Sequence, residues 1–232
     1  MTGEERVFGI IQARMGSHRL PGKMMRMLKN HPAIEWVCRR VQKSSELDGV
    51  VVAIPDSPAN DVLAAYLHKL GMDVFRGNEN DVVSRFYDAA VKFGVSHVVR
   101  ICADNPFVAW TEIDALVRFG LSSKVDYCYN HIPRNNQYPD GLGAEMVPFE
   151  ILGTIHRETR DRKHREHVFN YIWANPERFS IGTFQPENTR LWHPELKLDL
   201  DTEQDFKKLD RLKVGIDMSA EEIVAAALAE GL

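Results

Sequence analysis

Through its first 130 residues the chain alternates short apolar or β-branched runs with amphipathic stretches, and no other feature limits its fold as tightly. Residues 7–13, 49–54, 73–76, 97–101 and 126–129 read as strands bounded by Gly, Pro or Asp. Residues 33–42, 59–70, 81–93 and 111–120 carry helical spacing between them. Pro58 and Asn60 open the second of these helices and Gly71 closes it. Successive parallel strands need a crossover, usually a helix. The expectation is therefore a three-layer α/β/α fold with a mostly parallel, Rossmann-like sheet and right-handed crossovers.

The pattern changes after residue 130. Residues 131–143 are polar and rich in Pro, Asn and Gly, and a strand is expected at 144–148. Helices are expected at 149–158 and 163–174, strands at 179–184 and 196–200, and a helix at 202–213. Ser219 caps a last helix at 220–230, with Glu222 in the capping-box position. With no repeat, low-complexity tract or long linker, residues 1–232 read as one domain. Within it, 130–190 reads as an insertion expected to carry substrate and dimer contacts.

The run 7–13 feeds directly into a loop bearing Arg14, Gly16, Arg19, Gly22 and Lys23. Loops leaving the carboxyl ends of strands are where open α/β sheets bind ligands, and three cations there suit a polyphosphate. The spacing is not that of the P-loop: five residues separate Gly16 from Gly22, and Met24 follows Lys23. The glycine triplet of dinucleotide-binding loops is also missing. A solvated basic turn is the competing reading.

Two acidic turns follow. In Arg100-Ile101-Cys102-Ala103-Asp104-Asn105-Pro106 a strand ends in a carboxylate placed to hold a divalent cation, unless Asp104 only shapes a turn or caps the helix near Thr111. In Leu198-Asp199-Leu200-Asp201, alternation puts Asp199 and Asp201 on one side, although Asp201 also precedes a helix it could cap. Asp81 could cap the helix after it, with Arg85 pairing across one turn. His164, Glu166 and His167 lack the HExxH arrangement and a third ligand, which argues against zinc.

Composition narrows the function. The formal charge of −4 disfavours a general nucleic-acid binder, so the local cations suit a small anionic ligand. No apolar run approaches the roughly 20 residues that span a bilayer. The short acidic start, residues 1–6, does not read as a signal peptide. Cys38, Cys102 and Cys128, odd in number and widely spaced, favour reduced thiols and a cytoplasmic location.

Gln12-Ala13-Arg14-Met15-Gly16-Ser17 and Arg19-Leu20-Pro21-Gly22-Lys23 resemble the signature loop of the sugar cytidylyltransferases. Within that family the chain is most similar to the branch named after spore coat polysaccharide biosynthesis protein F, related to the synthetases of CMP-activated nonulosonic acids and KDO. His18 stands where a small hydroxyl residue is usual. The turns holding Asp104 and Asp201 resemble the family's magnesium-binding turns, with Glu203 in place of a proline. Residues 76–85 resemble its turn beside the nucleotide, and Pro55-Asp56-Ser57 lies where the base or ribose is contacted. Tyr138-Pro139-Asp140-Gly141-Leu142-Gly143-Ala144-Glu145 and Arg165-Glu166-His167 resemble its acceptor-side segments, with Gly143 replacing an aspartate.

The resemblance implies a nucleotide-diphospho-sugar transferase fold and Mg²⁺-dependent transfer from CTP to an acidic sugar, sialic-acid-like or KDO-like, in surface polysaccharide or glycan synthesis. It implies catalytic roles for Arg14, Lys23, Asp104 and Asp201, with both aspartates on the metal. Ala13, Arg14, Gly16, Arg19, Lys23 and Arg76 would contact the nucleotide, and Asp140, Glu145, Arg165 and His167 the acceptor. It also implies a homodimer, while the charge and the lack of a long apolar run argue against nucleic acid and membrane as partners. The residues alone do not identify cytosine. A guanylyl- or uridylyltransferase using a sugar 1-phosphate and a non-catalytic nucleotide-binding subunit are the alternatives.

Overall fold

The computed structural model describes residues 5–232; residues 1–4 of the acidic start lie outside it. In chain order the elements are β1 (Val7–Gln12), β2 (Met27–Leu28), β3 (His31–Pro32), α1 (Ala33–Val41), β4 (Gly49–Pro55), α2 (Asp61–Lys69), β5 (Asp73–Gly77) and α3 (Val82–Phe93). They continue with β6 (His97–Cys102), α4 (Trp110–Ser123), β7 (Tyr127–Tyr129), β8 (Glu145–Pro148), α5 (Phe149–Glu158), α6 (Arg162–Glu166), α7 (Asn170–Ala174), β9 (Ile181–Gly182), α8 (Glu203–Arg211) and α9 (Ala220–Ala229).

Seven strands form one sheet in the order β5-β4-β1-β6-β8-β7-β9. β5, β4, β1 and β6 run parallel, and β8 alone is reversed, pairing antiparallel with β6 and β7. β1 takes a central position because successive residues are apolar on both faces. Ile11 packs with α1, α2 and α4 on one side, while Phe8 and Ile10 pack with α3 and α5 on the other. The expected three layers follow directly, since a strand buried on both faces reads as a continuous apolar run. A third apolar cluster lies around Leu20, Trp36, Phe107, Leu198, Leu200 and Ile223. It fastens the C-terminal segment to the loop after β1.

Three expectations need correction. The helix expected at 163–174 is two short ones, because Val168 and Phe169 turn into the core and His167 between the helices is extended. Residues 196–200 form no ladder. Leu196, Leu198 and Leu200 are buried as alternation required, yet the segment makes only the isolated bridge between Asp140 and Lys197. The strand at 179–184 shrinks to Ile181–Gly182.

Gly143 marks a close backbone crossing. A Cβ there would overlap both the side-chain and the main-chain oxygen of Asn130. Asn130 is fully buried, accepting from the Ala144 amide at 2.9 Å and donating to the Glu112 carbonyl at 2.9 Å. Packing therefore excludes a side chain at 143. Gly143→Ala should lower unfolding free energy by about 1–3 kcal/mol in urea denaturation. Gly16→Ala, where an added Cβ meets nothing within 4 Å, should stay within about 0.5 kcal/mol of the parent.

Candidate active site

The loop after β1 is anchored by buried Leu20 and Met24, and Gly22 adopts φ +67° at the entry to a single 3₁₀ turn, Lys23–Met25. The left-handed conformation there suits glycine. The turn directs the Lys23 side chain inward. Its ammonium lies 2.8 Å from Asp104 Oδ2 and 3.4 Å from Asp201 Oδ1, and donates to the Leu200 carbonyl at 3.2 Å. Arg19 pairs with the other Asp201 oxygen at 2.7 Å.

Neither aspartate serves as a helix cap. Thr202 caps α8 in a reciprocal box with Asp205, which leaves Asp201 free to face Lys23. Asp104 follows the end of β6, and its carbonyl accepts from the Leu200 amide at 2.7 Å, joining the two acidic turns. α4 begins after Ala109, with no side-chain cap.

Ala13, Arg14, Arg19, Lys23, Asp104 and Asp201 line a cavity of about 270 Å³. Arg14 is exposed and makes no ion pair among the described residues. Arg85 lies close enough for its pKa to be pushed down to about 10, first by burial and then by the charge of Arg14. Hard carboxylate oxygens that converge on one cation suit a divalent ion. No group of three potential ligands occurs among the described residues, so such an ion would need further oxygens, which a triphosphate carries.

A second cavity, about 380 Å³, adjoins the first, and Arg100 and His167 line both. Glu145 lies in it, buried and bonded to Arg100 and to the Tyr127 hydroxyl. Arg100 and Glu145 are register partners in the β6–β8 pairing, and Gln12 of β1 accepts from Arg100 Nε at 2.9 Å. The sequence reading gave no site role to Gln12, Arg100 or His131; for Arg100 the available signal was a charged residue within an otherwise apolar strand.

Other expected site residues lie elsewhere. Gly16 is exposed and lines neither cavity. Arg76 is held by Asp56, Asp61 and the Ser57 carbonyl. Arg165 bonds the carbonyls of His156 and Thr159 and reaches Asp81 and Ser84, so it fastens α6 to α3. Asp81 does cap α3, through the Ser84 amide, but its ion-pair partner is Arg165. Arg85 bonds the Asn78 carbonyl instead. Asp140 lines neither cavity; burial and then the neighbouring Asp199 push its carboxyl up to about 6.

A sequence profile described as cytidylyltransferase matches residues 8–225. The spore coat polysaccharide biosynthesis protein SpsF of Bacillus subtilis (strain 168) is 33% identical over 225 residues, covering 93% of this chain and 91% of that protein. The 3-deoxy-manno-octulosonate cytidylyltransferase of Fusobacterium nucleatum subsp. nucleatum is 32% identical over 113 residues, 47% of this chain and 44% of that one. A solved cytidylyltransferase structure from Leptospira borgpetersenii serovar Hardjo-bovis superposes with TM-score 0.87 at 25% identity, over 97% of this chain and 93% of that one.

Two outcomes test the polar wall between the cavities. Arg100→Met leaves Glu145 uncompensated and should cost about 3–5 kcal/mol, while Arg100→Met with Glu145→Leu should cost less than the single change. Burial and the nearby Arg100 push His131 down to about 3 from its usual 6.5. Its contribution to stability is therefore complete above pH 6.5 and is lost as pH falls toward 3, because the unfolded chain then binds the extra proton. In denaturation at stepped pH, His131→Asn should lose less stability than the parent between pH 6.5 and 4.

Proposed function

The chain belongs to the cytidylyltransferase family, and from that premise we propose that it transfers CMP from CTP to an acidic sugar of the sialic-acid or KDO kind, with Mg²⁺ as the divalent cation. The product would enter surface polysaccharide or glycan assembly. One observation carries this reading: carboxylates from two distant turns meet at the Lys23 ammonium, on the wall of a cavity into which the unpaired Arg14 projects.

In the reaction a hydroxyl oxygen of the acceptor attacks the α-phosphorus, the bond to the β-phosphate oxygen breaks, and pyrophosphate leaves. The hydroxyl proton passes to solvent. The nucleophile approaches an anionic centre, so positioning and charge neutralisation supply most of the acceleration. Arg14, Arg19 and Lys23 hold the triphosphate and stabilise charge on departing pyrophosphate. Asp104 and Asp201 would hold the divalent cation, which would supply Lewis-acid chemistry to the transfer. Glu145 and His167 face the acceptor from the adjoining cavity, and Asp140 borders the Asp199–Asp201 turn.

Free cysteines suit a reducing compartment, so the cytoplasm is the proposed location. No helix among the described residues is long and apolar enough to cross a membrane. Two copies paired through residues 130–190 form part of the same proposal, and sedimentation velocity measures that state.

The deciding experiment is pyrophosphate release with CTP, GTP, UTP or ATP, each offered with sugar acids and sugar 1-phosphates, before and after chelation. CTP-specific, chelator-sensitive release with an acid is the expected result; release only with another nucleotide overturns the base assignment. Lys23→Ala should cut kcat about 10²- to 10³-fold while the far-ultraviolet circular dichroism is unchanged.

A further inference from the structure

The second cavity carries a charge balance that bears on its occupant. Arg100 is matched by Glu145 and by Gln12, so it brings no free positive charge. His131, pushed well below its usual range, is neutral near pH 7. Arg134 differs from both. Its guanidinium lies 4.1 Å over the Trp173 ring on the cavity wall and makes no ion pair among the described residues.

The loop that presents Arg134 is fixed from several sides. The Arg134 carbonyl accepts from the Tyr129 hydroxyl at 2.7 Å and from Asn136 Nδ2 at 3.1 Å. The same Asn136 amide reaches the Ile132 carbonyl and Thr183 Oγ1, and Asn135 between them sits at φ +58°. Asparagine adopts that region more readily than other non-glycine residues, which suits the turn. Stacking on an aromatic face leaves the edge of a guanidinium free to grip a planar anion with two parallel bonds.

We propose that Arg134, held on Trp173, is the residue that recognises the carboxylate of a monoanionic acceptor sugar, whose apolar face or substituent lies against Phe169 and Trp173. The inference rests on the nucleotidyl-transfer reading above and narrows its substrate class. A sugar 1-phosphate brings about 1.5 to 2 negative charges, more than the one guanidinium that lacks an ion-pair partner among the described residues lining this cavity. A carboxylate brings one. The apolar wall favours deoxy, methyl or N-acyl groups over a fully hydroxylated ring.

The test uses CTP with N-acetylneuraminic acid, KDO, the C1 carboxamide of each, and N-acetylglucosamine 1-phosphate, measuring pyrophosphate release by wild type, Arg134→Gln and Arg134→Lys. Wild type should accept an acid and reject its carboxamide. Arg134→Gln should raise KM for the acid about 10- to 100-fold, keep KM for CTP within about twofold, and lose the preference for acid over amide. Arg134→Lys should retain part of that preference. Preferred transfer to the sugar 1-phosphate, or undiminished acid preference in Arg134→Gln, overturns the assignment while leaving nucleotidyl transfer intact. No pyrophosphate with any acceptor overturns both.

Discussion

The ammonium of Lys23 between Asp104 and Asp201 is the contact around which the candidate site is organised. A buried cation is tolerated only where opposite charge and hydrogen bonds surround it. Here the three groups come from three distant parts of the chain: the loop after β1, the end of β6 and the segment before α8. Their meeting requires the apolar cluster beneath them, in which Leu20, Leu198 and Leu200 are nearly inaccessible. Leucines fix the backbone, and Asp201, next in the alternation, lines the cavity.

The reversed strand β8 makes a second arrangement possible. Its insertion beside β6 brings Glu145 opposite Arg100 at the carboxyl end of the parallel strands, where the fold leaves room for ligands. The pair forms a polar partition between two adjoining cavities, with Arg100 facing both. Gly143 contributes by allowing the chain entering β8 to pass against Asn130. Two cavities of different lining can therefore share a wall that is itself charge-balanced.

Local features of the site were legible in the sequence where spacing alone governs them. The alternation of Leu198, Leu200 and the intervening aspartates predicted which side chains face one way, even though no strand ladder forms. The basic loop was legible because strand, glycine and cations are contiguous. Arg76 and Arg165 were not legible in the same way. An arginine reaches far, and its partner is decided by which carboxylate the fold brings near: Asp56 and Asp61 for one, Asp81 for the other. The break at His167 likewise follows from the burial of Val168 and Phe169, which outweighs helical continuity in a charged segment.

By itself the sequence determined the layered α/β/α plan, the capping of α9 by Ser219 and the presence of three cations in one loop, because these depend on neighbours a few residues apart. Only the tertiary structure decided that Thr202 rather than Asp201 caps α8, that Lys23 bridges both aspartates, that Arg100 is spent on Glu145, and that Arg134 is left unpaired on Trp173. Those outcomes turn on contacts between segments far apart in the chain, where packing selects among several partners that local spacing leaves equally available.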